Sequence, residues 1–255
     1  MRRAVLALLL LAACATGRTT GGGPKGPRGA EEEYQAGVKQ LQSHDWLDAQ
    51  RTLDQVRTRY PYSRFAALAE LRLADGKFDQ DKFVEAAEAY QQFVKLHPNH
   101  EEVDYASYRV GLSRWKDAPS GFFLLPPVYE RDMTPVVAAI TALEAFLKSY
   151  PKSKYVPEAE KLAAEAKGLF VERDWYVAGF YRNRDRWEGV AFRMEHLLKE
   201  YPGSRYESRA LYQLAEAYLK MNERYRAQQA LQQLIVKHPD DPLRPQAEKL
   251  LAGLR

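Results

Sequence analysis

Cysteine is almost missing from this chain: its 255 residues hold one, Cys14. A single thiol excludes a disulfide within the chain, so the fold must rest on packing, which a chain of this length can supply. Long apolar runs are missing too. The stretch from Ala4 to Leu11 is far shorter than the roughly 20 residues a bilayer span needs, and no later stretch is longer. Charge of one sign is not in excess, since the net formal charge is +4 and two of those charges are Arg2 and Arg3. That near balance gives no support to a nucleic-acid partner. Catalytic signatures are absent as well. There is no Gly-rich phosphate loop, no Gly-x-Ser-x-Gly and no free Cys to act as a nucleophile. His97 and His100 flank Pro98 and Asn99, which rules against a helical ligand pair, and no Cys or acidic motif completes a metal site. An enzyme is therefore not expected, and no metal or cofactor is expected either.

What is present begins at the amino terminus. Met1-Arg2-Arg3, the apolar run and Leu11-Ala12-Ala13-Cys14 have the order of a secretory signal peptide: cationic, apolar, then small residues. The Leu-Ala-Ala-Cys end resembles a bacterial lipobox. That resemblance implies cleavage after residue 13 and acylation of Cys14, which becomes the first residue and the membrane anchor. Ala15, rather than Asp, follows the cysteine. In the lipoprotein class this leans towards the outer membrane. Residues 14–30 are rich in Gly, Thr and Pro without apolar periodicity, the composition of a flexible tether. The expected division is thus a signal peptide at 1–13, an anchor and tether at 14–30, and a folded domain at 31–255. Glu31, Glu32 and Glu33 are expected to open its first helix, where negative charge suits the helix dipole.

From there the chain repeats itself. Tyr60-Pro61-Tyr62-Ser63, Tyr150-Pro151-Lys152-Ser153 and Tyr201-Pro202-Gly203-Ser204 recur, with His97-Pro98 and His238-Pro239 as weaker copies. Each Pro ends a helical hairpin, because it cannot donate to a continuing helix and disfavours helical geometry just before itself. Counting back from these prolines places small residues (Gly37, Ala49, Ala74, Ala86, Ala215, Ala227) where two helices approach closest. Large ones (Leu53, Val56, Tyr90, Phe93, Leu231, Leu234) fall between hairpins. A unit of about 34 residues ending in Pro resembles the tetratricopeptide repeat. The expected fold is all-α: a curved, right-handed tetratricopeptide solenoid of about five hairpins, closed by a capping helix near residues 242–255.

Such solenoids present their first helices along an inner groove. The positions facing it read Tyr34, Val38 and Leu41, then Leu71, Asp75 and Phe78, then Tyr105, Tyr108, Leu112 and Trp115. Aromatic groups of this kind make good anchors for a bound segment, although each also suits packing on the next hairpin. The third hairpin carries an insertion, roughly residues 116–132, with an apolar core around Gly121-Phe122-Phe123-Leu124-Leu125-Pro126-Pro127. It either folds back on the repeats or serves as a docking element.

Lipobox, tether, five hairpins and an insertion in the third together resemble the BamD family. Its most specific matches are Tyr60-Pro61-Tyr62, the run from Asp104 to Leu112, Gly121-Phe122-Phe123 followed by Arg131-Asp132, and residues 177–195. The resemblance implies a lipoprotein on the periplasmic face of the outer membrane that takes part in β-barrel assembly. It also implies two kinds of partner: unfolded outer-membrane protein precursors, held by the amino-terminal hairpins through the aromatic groove, and the barrel subunit BamA, contacted by the carboxy-terminal half. Arg193 matches a family arginine in that contact. A residue-level reading leaves it equally suited to a solvated charge paired with Glu188 or Glu195. Two other readings compete: a tetratricopeptide pilot lipoprotein for secretin or pilus subunits, and a scaffold for envelope proteins, for which the tether lacks heptads.

Overall fold

The computed structural model describes residues 27–119 and 127–254. Cys14, Phe122 and Phe123 lie outside the described residues. Among the described residues, eleven α-helices and one short 3-10 turn make up the regular structure, and there is no strand. The chain divides into two compact units, residues 1–66 and 67–255.

The first unit contains α1 (Pro27–Gln42) and α2 (Trp46–Arg59). α1 begins four residues before the expected start, so Glu31 to Glu33 do not occupy its first turn. They cannot act there as a charge on the helix terminus. Glu33 instead accepts hydrogen bonds from the Tyr60 hydroxyl at 3.2 Å and from Arg59 at 3.3 Å. Gly37 has a packing reason: a Cβ on it would come within 2.7 Å of the Leu53 side chain. Ala49, Leu53 and Val56 are the buried side of α2, as the repeat register requires.

The second unit takes up most of α3 (Arg64–Asp79), then α4 (Phe83–Leu96), α5 (Val103–Asp117), α6 (Thr134–Ser149) and α7 (Val156–Arg182). It ends with α8 (Trp187–Glu200), α9 (Glu207–Lys220), α10 (Arg224–Lys237) and the capping α11 (Arg244–Ala252). Gly111 repeats the role of Gly37, since a Cβ there would meet Leu143 at 2.6 Å. Ala74, Ala86, Tyr90 and Phe93 are buried together, as are Ala215, Ala227, Leu231 and Leu234. Pro135, Pro157 and Pro245 stand in the first turns of α6, α7 and α11, where a missing N–H costs nothing.

Two kinds of turn alternate, and each is written in the sequence. Within hairpins, His44, Asp81, Asp185 and Asn222 adopt left-handed backbone with φ between 54° and 64°. Each lies two residues before the second helix. Asn, Asp and His tolerate this region better than most residues. The following N–H reaches back five residues, as from Asp45 to the Gln40 carbonyl and from Glu223 to the Tyr218 carbonyl, which satisfies carbonyls at the helix end. Between hairpins, the residue three after each Tyr or His accepts a bond from the backbone two residues on. Ser63 does so for Phe65, His100 for Glu102, Ser153 for Tyr155 and Asp241 for Leu243. The Tyr201 copy breaks this rule. Gly203 is left-handed at φ 75°, and its N–H goes to the Glu207 carboxylate instead.

α7 is the exception in length, with 27 residues against 14 to 16 in the other hairpin helices. The insertion expected at 116–132 takes in the last two residues of α5, ends before α6 and contains the turn Val128–Glu130.

Candidate functional sites

In the first unit, Tyr34 is buried with its ring 5.5 Å from that of Phe65, while Leu41 is partly exposed. Tyr34 is therefore a packing residue, not an open contact. Leu71 and Tyr108 are corrected in the same way. Leu71 is sealed among Ala74, Ala86, Tyr90 and Ala106. Tyr108 stacks on Tyr155 at 5.0 Å with nearly parallel rings and packs on Phe146. A first helix in a hairpin stack touches neighbours on two sides, so only a narrow strip of it reaches solvent. These three residues fall off that strip.

Phe78 and Tyr105 fall on it, and the structure gathers them with Asp75, Arg72 and Arg109. The Asp75 carboxylate accepts from the Tyr90 hydroxyl at 2.5 Å, the Tyr105 hydroxyl at 2.8 Å and the Arg72 guanidinium at 2.6 Å. Arg72 also pairs with Glu102. Arg109 lays its guanidinium over the Phe78 ring, 3.8 Å from the centroid, a cation–π contact. Burial, and next the Asp75 charge, push both tyrosine hydroxyls well above their usual range. They therefore stay protonated and donate. With both hydroxyls spent on Asp75, the cluster offers an aromatic floor crossed by the Arg109 guanidinium, chemistry that suits an aromatic side chain next to a carboxylate.

Arg193 sits elsewhere in the second unit, on α8. It pairs with neither Glu188 nor Glu195. Its guanidinium donates to Asp174 of α7 at 3.2 Å, and His196 meets the other Asp174 oxygen at 2.6 Å. Asp174 is buried, with 3% of its surface exposed, so the two α8 groups compensate a charge that would otherwise be costly. Arg193 Nε is buried without an acceptor. Glu195 is engaged with Tyr218 and with Arg226.

Asp174 escaped the reading of the sequence, yet repeat register holds a signal for it. It lies 27 residues before Tyr201, the same distance as Glu33 before Tyr60 and Glu70 before His97. In those two pairs the acid bonds directly to the Tyr or His, at 3.2 and 2.8 Å. In the third, burial and then the Asp174 charge raise the Tyr201 hydroxyl. His97 and His100 are thus engaged locally, with Glu70 and with the Glu102 amide. Among the described residues no group of three or more His, Cys, Asp and Glu side chains is placed to hold a metal ion, and no helix is long and apolar enough to cross a membrane.

A family described as "Outer membrane lipoprotein" (YfiO) matches residues 28–234. The chain is 26% identical to the outer membrane protein assembly factor BamD of Xylella fastidiosa, covering 83% of this chain and 73% of that one. It is 28% identical to the factor of the same name in Vibrio cholerae, over 74% and 79%. With that of Neisseria gonorrhoeae the identity is 26% over 92% and 89%. Among solved structures it is similar to the TPR2AB-domain:pHSP90-complex of yeast Sti1, with a TM-score of 0.48 and 13% identity, covering 90% of this chain and 84% of that one. The match of the family model to residues 28–234 leads to one assignment: the chain belongs to the YfiO family of outer membrane lipoproteins, the family of the BamD assembly factors.

Proposed function

We propose that this protein is a non-enzymatic subunit of the machinery that assembles β-barrels in the outer membrane. It is anchored through lipid on Cys14 and works on the periplasmic face, within reach of its tether. Its clients in this reading are unfolded outer-membrane protein precursors, and its fixed partner is the BamA barrel subunit. The observation that carries the reading is family membership across residues 28–234. Two local features support it. Phe78, Tyr105 and Arg109 form an aromatic and cationic surface suited to a precursor segment ending in an aromatic residue. Arg193 is held in place by Asp174 while 31% of its side chain stays exposed, which suits contact with a partner carboxylate.

Two substitutions test the reading. Cys14→Ala should release the protein from the outer-membrane fraction, and retention there contradicts the lipid anchor. Arg193→Glu should weaken binding to the periplasmic region of BamA, and unchanged binding removes Arg193 from that contact.

A further inference from the structure

α7 carries two glycines in its interior, Gly168 and Gly179. A glycine inside a helix is unfavourable relative to Ala, so it calls for a reason. Gly37, Gly111 and Gly189 have one, since a Cβ at each would press within 2.6 to 2.7 Å of a neighbouring side chain. Gly168 and Gly179 have none of this kind: a Cβ at either meets nothing within 4 Å. Eleven residues apart, they lie about three turns and 16 Å from each other on one side of the helix.

Both open onto hollows. Gly168 lines one of about 890 Å³ with Trp115, Leu169 and Tyr201, and Gly179 lines one of about 350 Å³ with Tyr176 and Phe180. Tyr176 and Phe180 are 46% and 47% exposed, one helical turn apart, which leaves a large apolar surface in water. Tyr129 packs on Tyr176 at 5.0 Å and extends that surface. The Gly179 end is also basic. Arg184 covers Phe180 at 3.5 Å from its ring centroid, and Arg186 is exposed, as is Arg182, which faces the Glu216 charge. Neither Arg184 nor Arg186 makes an ion pair within 4.0 Å among the described residues. At the Gly168 end, Glu172 is already neutralised by Arg205.

We propose that this side of α7 is a docking groove for an extended polypeptide segment, with bulky apolar side chains seated over Gly168 and Gly179 and acidic residues meeting the arginines around Arg184. An extended chain covers the distance between the two hollows in about five residues. The charge left unpaired at one end sets the sign of the partner and its direction along the helix. Its lining residues do not include Phe78, Arg109 or Arg193, and the proposal does not depend on the function proposed above.

The probe is a fluorescently labelled acidic peptide bearing two Phe residues about five positions apart, titrated against the whole protein by anisotropy. Saturable binding is expected. Gly168→Leu with Gly179→Leu places a bulky side chain of a better helix former in each hollow, and should weaken binding about ten-fold or more without lowering the thermal midpoint. Arg184→Glu with Arg186→Glu should weaken it similarly, and this pair alone decides the matter if the filled variant fails to fold. A peptide with Lys in place of its acidic residues should not bind. No binding of the acidic peptide, equal binding by the filled variant, or equal binding of the Lys peptide overturns the proposal. So does sedimentation with phosphatidylglycerol vesicles that is lost in the arginine variant while the peptide stays unbound, which assigns the face to lipid. Concentration-dependent dimers abolished by the filled variant would assign it to a second copy and overturn the proposal equally.

Discussion

Tyr105 donates its hydroxyl hydrogen to Asp75 across 2.8 Å and so ties α5 to α3 through a carboxylate that also holds Tyr90 and Arg72. One acceptor thus serves three donors from three helices. Replacing Asp75 by Ala strands the Tyr90 and Tyr105 hydroxyls, while Arg72 keeps Glu102. An unsatisfied buried polar group costs about 1–3 kcal/mol, so Asp75→Ala should lower the unfolding free energy by about 3 kcal/mol in urea titrations. A loss under about 1 kcal/mol would mean that water replaces the carboxylate.

The same pair sets an alkaline limit. Both hydroxyls are raised above the ordinary tyrosine value of 10.0, first by burial and then by Asp75. In the unfolded chain they ionise near that ordinary value, so above it the unfolded state binds fewer protons than the folded state. Stability is full below about pH 10 and falls as pH rises beyond it, by up to about 1.4 kcal/mol per pH unit for each tyrosine. Urea midpoints between pH 8 and pH 11 check this, and Tyr105→Phe should flatten the fall.

Glycines in this protein should answer oppositely to the same substitution. Gly111→Ala drives a Cβ to 2.6 Å from Leu143 and should destabilise by about 1–3 kcal/mol. Gly179→Ala adds a Cβ in open space and should stabilise by up to about 1 kcal/mol through helix propensity. Thermal midpoints of the two variants must move in opposite directions. Movement in the same direction contradicts the packing described for α5 and α6.

Asp174 and Arg193 should behave as a coupled pair. Arg193→Ala leaves a buried carboxylate to His196 alone, and Asp174→Ala leaves Arg193 without its acceptor. Because Arg193 is close to one-third exposed, water screens part of the interaction. A double-mutant cycle in urea should give a coupling of about 1–2 kcal/mol. A value near zero would mean that the ion pair is incidental to holding α8 on α7.

Much of the architecture was legible because the repeat writes itself in residues with one physical role. Prolines at 61, 98, 151, 202 and 239 stop helices, and small residues at 37, 49, 74 and 86 permit close approach. The site was harder to read. An aromatic residue on a first helix says nothing about which of two neighbours it packs on, so Tyr34, Leu71 and Tyr108 looked open and are buried. Phe78 and Tyr105 fell on the accessible strip by the same reasoning. Asp174 was hidden because its partners come from the next helix, three residues apart at 193 and 196, a link visible only once α7 and α8 are packed. The open face of α7 left one trace, two glycines eleven residues apart without a turn to explain them.

The proposed function stands most directly on what the protein holds in the outer membrane. Gentle solubilisation of outer membranes, purification through this chain and quantitative mass spectrometry should recover a large barrel protein with repeated periplasmic domains in near-equimolar amount. Recovery of a secretin or pilus component in its place would contradict the barrel-assembly role and make the protein a pilot lipoprotein on the same fold.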